Sequence, residues 1–105
     1  MSVWPFKRHK SKADAAIEVL PALIENAAGK WREFYEVFKF KDGVGLDKQI
    51  LLFTTPFSEG VREHLPAMKN APDGLILLIV AKGVERSGTH SRAQIEEALG
   101  MTLPE

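Results

Sequence analysis

The chain contains no cysteine, which excludes disulfides, thiolate zinc sites and a cysteine nucleophile. It has no excess charge of either sign, because 14 Lys and Arg balance 14 Asp and Glu. Binding of nucleic acid by the domain as an electrostatic unit is therefore not expected. No apolar run approaches the ~18–20 residues of a membrane span, so stable membrane insertion is not expected either. Residues 1–10 (MSVWPFKRHK) lack the apolar core of a signal peptide. A cytoplasmic location is the default.

Chemical signatures are equally scarce. There is no G-x-S-x-G elbow and no His-x-x-x-His pair. The interval Gly83–Gly88 has the spacing of a P-loop, but Thr89 stands where the lysine belongs. Ser87 or Ser91, His64 or His90, and Asp47 or Asp73 supply triad residue types on paper, as most chains of this length do. The carboxylate pairs Glu59/Glu63 and Glu96/Glu97 read as solvated helix faces. No cofactor and no metal are expected, and catalysis is not the leading expectation.

What the chain does have is one uninterrupted apolar run, Leu75–Ala81, between Gly74 and Gly83. Absence of alternation predicts a strand buried on both faces, which requires covering helices. Around it the pattern predicts a helix from about residue 12 to Ala28, stopped at Gly29 and kinked or restarted at Pro21. Trp31, Phe34, Tyr35 and Phe38 fit a helical face, but the aromatic density of Glu33–Phe40 favours a strand. The turn-rich segment 41–47 would join it to a second strand, Lys48–Thr54. Thr55 or Ser58 would cap a helix carrying Val61, Leu65 and Met68. Thr89 or Ser91 would cap a last helix ending at Gly100.

The expected fold is α/β (α+β): a two-layer sandwich in the order α-β-β-α-β-α, with a small mixed three-stranded sheet. Strand 48–54, helix 57–70 and strand 75–81 would form one βαβ crossover. A chain of 105 residues is one domain, here residues 11–105 preceded by a basic, aromatic arm at 1–10. In the simplest topology the most apolar strand lies at a sheet edge. An apolar edge invites pairing, so a homodimer through that edge is one expected form of partner.

Two candidate sites follow. The first is the strand–loop–helix junction 82–92, where α/β folds bind ligands. Lys82, Arg86 and Arg92 offer cations, Ser87, Thr89 and Ser91 offer hydroxyls, and Gly88 permits close approach of an anion such as phosphate or carboxylate. His90 is the candidate acid/base, and Glu85 opposes the field. The second site is the arm, where Trp4 and Phe6 alternate with Lys7, Arg8 and Lys10 in a pattern suited to an anionic surface or nucleic acid. Ser91–Thr102 resembles the first helix and turn of helix-turn-helix proteins, over twelve residues with only three after them; DNA reading is not expected from it. The leading functional expectation is a small binding or regulatory module acting through protein–protein contacts. An anion-binding protein or small enzyme using 82–92 is the second, and surface docking through the arm the third.

Overall fold

The computed structural model describes residues 12–40 and 43–104, with side chains from residue 18 onward. Among the described residues there are four α-helices and no strand. They are α1 (Lys12–Phe38), α2 (Leu46–His64), α3 (Asp73–Ser87) and α4 (Arg92–Leu99), with a single 3-10 turn at Pro66–Met68 before α3. The fold is a helical bundle. The three-stranded sheet, the βαβ crossover and the sheet edge proposed for dimerisation are all corrected by this arrangement.

The apolar run 75–81 is the middle of α3, and the reason is its place in the bundle. α3 packs against α1, α2 and α4, so most of its circumference needs apolar residues and no polar stripe interrupts the sequence. Ile76, Ile79, Val80, Ala81 and Val84 are buried. Gly83 does not stop this element; it lets α1 come close. A Cβ built there would lie 2.7 Å from the Ala27 Cβ and 3.0 Å from the Ala28 backbone nitrogen. α1 and α3 thus meet at a contact of small residues, and α1 packs against α3 more extensively than against α2.

α1 does not stop at Gly29. It runs on to Phe38, 27 residues in all with Pro21 inside it, a length of ~40 Å. The segment read as a strand from Glu33 is its last part. Trp31, Phe34, Tyr35 and Phe38 recur at helical spacing, and that periodicity outweighs the strand preference of single aromatic residues. Trp31 is fully buried. The segment read as the strand 48–54 is the first half of α2, where Gln49, Ile50 and Phe53 are buried at helical spacing. Neither Thr55 nor Ser58 caps a new helix, since both lie inside α2; the Thr54 and Thr55 hydroxyls donate to the carbonyls of Ile50 and Leu51 at 2.6 and 3.4 Å. Pro56 is accommodated inside α2. That helix ends at His64, and Pro66 opens the 3-10 turn.

The last helix matches its sequence pattern. Ser91 is the N-cap, paired with Gln94 in a reciprocal capping box. Gly100 ends it in the left-handed conformation, φ 65°.

Two glycines inside helices give opposite expectations for one substitution. Gly83→Ala gains helix propensity but forces a methyl into Ala27 and Ala28; overpacking of ~1–3 kcal/mol should leave a net loss. Gly60→Ala meets nothing within 4 Å and should stabilise by ~0.5–1 kcal/mol. Urea unfolding midpoints check both: the first should fall and the second rise.

Candidate functional site

The 82–92 segment lies at a helix-to-helix junction, not at the end of a strand. Its cations face carboxylates and carbonyls of the chain itself. Arg86 pairs with Glu25 of α1. Lys82 lies 3.5 Å from Glu85 and donates to the Pro104 carbonyl at 3.1 Å. Arg92 donates to Glu85 at 3.1 Å, to the Leu103 carbonyl at 3.0 Å and to the Pro104 carbonyl at 3.2 Å. The Leu103 N–H in turn donates to Glu96 at 2.8 Å. These groups fasten the C-terminal tail so that Leu103 is buried in the core. The Arg92 guanidinium beside Glu85 holds that carboxyl below its usual range.

The hydroxyls and His90 form a second local network. Gly88 ends α3 in the left-handed conformation, φ 83°. The Ser87 hydroxyl donates to the Val84 carbonyl at 2.6 Å and accepts from the Thr89 N–H at 3.3 Å. Thr89 Oγ1 accepts from the buried Trp31 indole at 2.8 Å and lies 3.0 Å from His90 Nδ1. The His90 ring packs edge-on against Tyr35, with centroids 5.1 Å apart. Burial pushes the His90 pKa below its ordinary value. A depression of 320 Å³ beside Ser87 and Thr89 is lined by Arg32 but also by Glu33 and Glu36. Arg32 donates to the Ser87 carbonyl at 3.2 Å. The site therefore presents the negative end of α3 and two carboxylates around one guanidinium. Ser91 spends its hydroxyl as the cap of α4.

The other chemical candidates are dispersed. His64 is exposed at the end of α2 beside Glu63, 3.5 Å away. Asp73 pairs with Arg62 at 2.9 Å. Glu59 is exposed, as is Glu63, in keeping with a solvated helix face. Among the described residues no group of three His, Asp or Glu side chains is placed to hold a metal ion. No described helix is long and apolar enough to cross a membrane. Trp4, Phe6, Lys7, Arg8 and Lys10 of the arm lie outside the described residues.

A larger depression lies elsewhere, between α1 and α2. It is a groove of about 910 Å³. Because α1 is drawn onto α3, it meets α2 chiefly where the Phe34 and Phe53 rings touch, 5.5 Å apart and steeply inclined. From there the two helices leave a trough. α1 contributes Val19, Ala22, Leu23 and Phe34, and α2 contributes Phe53, Pro56, Phe57, Gly60 and Val61. Leu23, Phe53, Phe57 and Val61 are buried core residues that form its floor. Gly60 bares one wall, since nothing lies within 4 Å of a Cβ there. Asn26, Lys30, Glu33 and His64 are its polar edge. Glu63 is exposed on α2, three residues beyond the lining Gly60.

Exposed apolar residues continue the groove past its aromatic end. Val37 follows Phe34 by three residues on α1, and Leu52 precedes Pro56 by four on α2. They are 66% and 51% exposed, and Phe40, farther along, is 77% exposed. The sequence signal for this site is the spacing Phe34–Phe38 and Phe53–Phe57, which the sequence reading divides among a strand at 33–40, a strand at 48–54 and a helix from 57.

His90 and Arg92 give two expectations. The His90 pKa is lowered on folding, so the unfolded chain takes up the proton first as pH falls. Its stability contribution is complete above ~6.5, the unfolded value, and is lost as pH drops from there toward the lowered folded value. Wild-type protein should lose more thermal stability between pH 7.5 and 5.5 than His90→Gln, which lacks this titration. Arg92→Met should cost ~1–2 kcal/mol through the lost charge-assisted bonds to the tail, seen as a lower urea midpoint.

Comparison with protein-family models, with curated protein sequences and with solved structures finds no match for this chain.

Proposed function

We propose that this chain is a small protein-binding module that acts by holding an apolar, amphipathic helical segment in the groove between α1 and α2. The groove itself is the observation that carries the reading. From Val19 to Phe34 it runs ~22 Å along α1, enough for about four turns of a bound helix. Its floor is aromatic and aliphatic, and its few polar groups lie at the edges, the composition of helix-in-groove recognition. The exposed Val37 and Leu52 extend the apolar track, and contiguous apolar surface of this kind marks interaction sites. This is the protein–protein role expected from the sequence, carried by a helical groove in place of a sheet edge.

The edge also selects among partners. Glu33 lines one bank, and Glu63 adjoins the lining residues Gly60 and His64 in sequence on the other; Lys30 is the lining cation that opposes them. A helix with an apolar stripe flanked by Lys or Arg suits this field.

A basic amphipathic Leu/Lys model peptide titrated into the labelled protein should shift the amides of Ala22, Asn26, Gly60 and Val61 saturably. Gly60→Trp fills the open wall, and Ala22→Arg adds a charge at an exposed lining position. Each should weaken binding by about tenfold or more while leaving the helical circular dichroism and melting temperature near wild type. Absence of shifts in the wild-type groove would overturn the reading.

A further inference from the structure

α2 has two faces. One carries Ile50, Phe53, Phe57 and Val61 into the core. On the other, Lys48, Leu52, Thr55 and Glu59 recur at spacings of four, three and four residues, which sets them in one row along the helix. All four are exposed, as are Leu51 and Pro56 on either side of the row. A single exposed leucine is ordinary. Here Leu51 and Leu52, 54% and 51% exposed, adjoin Thr55 and Pro56 and make a patch. The Thr55 hydroxyl donates back to the Leu51 carbonyl, which engages its polar group within the helix.

We propose that this face of α2 pairs with the same face of a second copy of the chain, the two helices running antiparallel about a two-fold axis. The contact does not depend on the groove reading. Phe57, Gly60 and Val61 lie around the helix from the row, while Leu52 and Pro56 border both surfaces.

Charge selects this occupant. Lys48 stands at one end of the row and Glu59 at the other, and neither makes an ion pair among the described residues. A row with opposite charges at its ends is complementary to its own reverse. One antiparallel register sets Lys48 against the partner's Glu59, Leu52 against the partner's Thr55 and Leu51 against the partner's Pro56. The two-fold axis makes each of these pairs twice. A parallel pairing would set Lys48 on Lys48 and Glu59 on Glu59, so charge opposes it.

Neighbouring charges leave the register intact. Asp47 falls opposite Gly60, which has no side chain. Arg62 is engaged by Ser58, the Ala71 carbonyl and Asp73, and Glu63 faces His64. The row is ~17 Å long and one helix wide, ~10 Å. That is well below the ~1,200 Å² of a standard stable interface. The dimer is therefore weak and concentration-dependent, and it brings two grooves into one assembly.

The test is sedimentation equilibrium of the full chain from ~10 μM to ~1 mM. The weight-average mass of wild type should rise from 11.7 kDa toward twice that value. Lys48→Glu puts carboxylates at both ends of the row, and Glu59→Lys puts cations at both. Each variant alone should associate about tenfold more weakly or worse. Their equimolar mixture restores both opposite-charge pairs and should dimerise like wild type. Both positions are exposed, and a carboxylate is favoured in the first turn of a helix, where residue 48 lies. Circular dichroism and melting temperature should therefore stay near wild type. Ala22→Arg, which blocks the groove, should leave dimerisation unchanged. A wild-type mass that stays at the monomer value throughout would overturn the proposal. A dimer that both charge reversals leave intact would place the contact elsewhere and overturn it too. A mixture that stays monomeric would overturn the antiparallel pairing.

Discussion

The close approach of α1 to α3 is the constraint on which the rest depends. It requires that one residue of α3 have no side chain, and Gly83 opposite Ala27 and Ala28 meets that requirement. Once α1 is held there, its aromatic row is committed to a fixed direction. Trp31 turns into the core and donates to Thr89, which ties α1 to the junction between α3 and α4. Phe34 turns toward α2 and meets Phe53 edge to face, a favoured geometry for aromatic pairs. The groove follows from these commitments, since α1 cannot lie fully against α3 and α2 at once.

Polar chemistry in this protein is largely structural. Arg62 donates to Ser58, to the Ala71 carbonyl and to Asp73, and so fastens the connection from α2 to α3. Arg92, Lys82 and Glu96 fasten the tail over α4 and α3. Thr89 joins Trp31, Ser87 and His90. Residue types that in a list suggest anion binding or acid–base chemistry are thus engaged in holding a small bundle together. A core of this size gains from such fastenings because it buries a limited apolar area. The surface left unfastened is apolar, and it is the groove.

Legibility from sequence varied with how local the cause was. α4 was legible but for the choice of cap between Thr89 and Ser91, because capping and a left-handed glycine act within a few residues of the helix they bound. The helical spacing of Trp31, Phe34, Tyr35 and Phe38 was visible too, but β preference of the individual residues pulled toward a strand. Leu75–Ala81 was misread because a helix buried on most sides and a strand buried on both show the same unbroken apolar run. Gly29 and Gly83 looked like boundaries, yet both lie inside helices, and at Gly83 the neighbour that demands glycine is more than fifty residues away in sequence. The groove was illegible as a unit, since each bank was divided in the reading between a helix and a strand: Val19–Leu23 from Phe34 on one side, Phe53 from Phe57–Val61 on the other.

The sequence by itself determined that this chain has no cysteine chemistry. It also determined that the last helix ends at Gly100 and begins at one of two neighbouring caps, Thr89 or Ser91, because capping and termination are short-range effects. Tertiary structure alone decided that the apolar run is a helix, by surrounding it with three others. It decided that Lys82, Arg86 and Arg92 face internal carboxylates and carbonyls, because only folding brings Glu25 and the tail to them. And it decided that Phe34, Phe57 and Gly60 line one trough, because two antiparallel helices had to be placed side by side before their open faces became a surface.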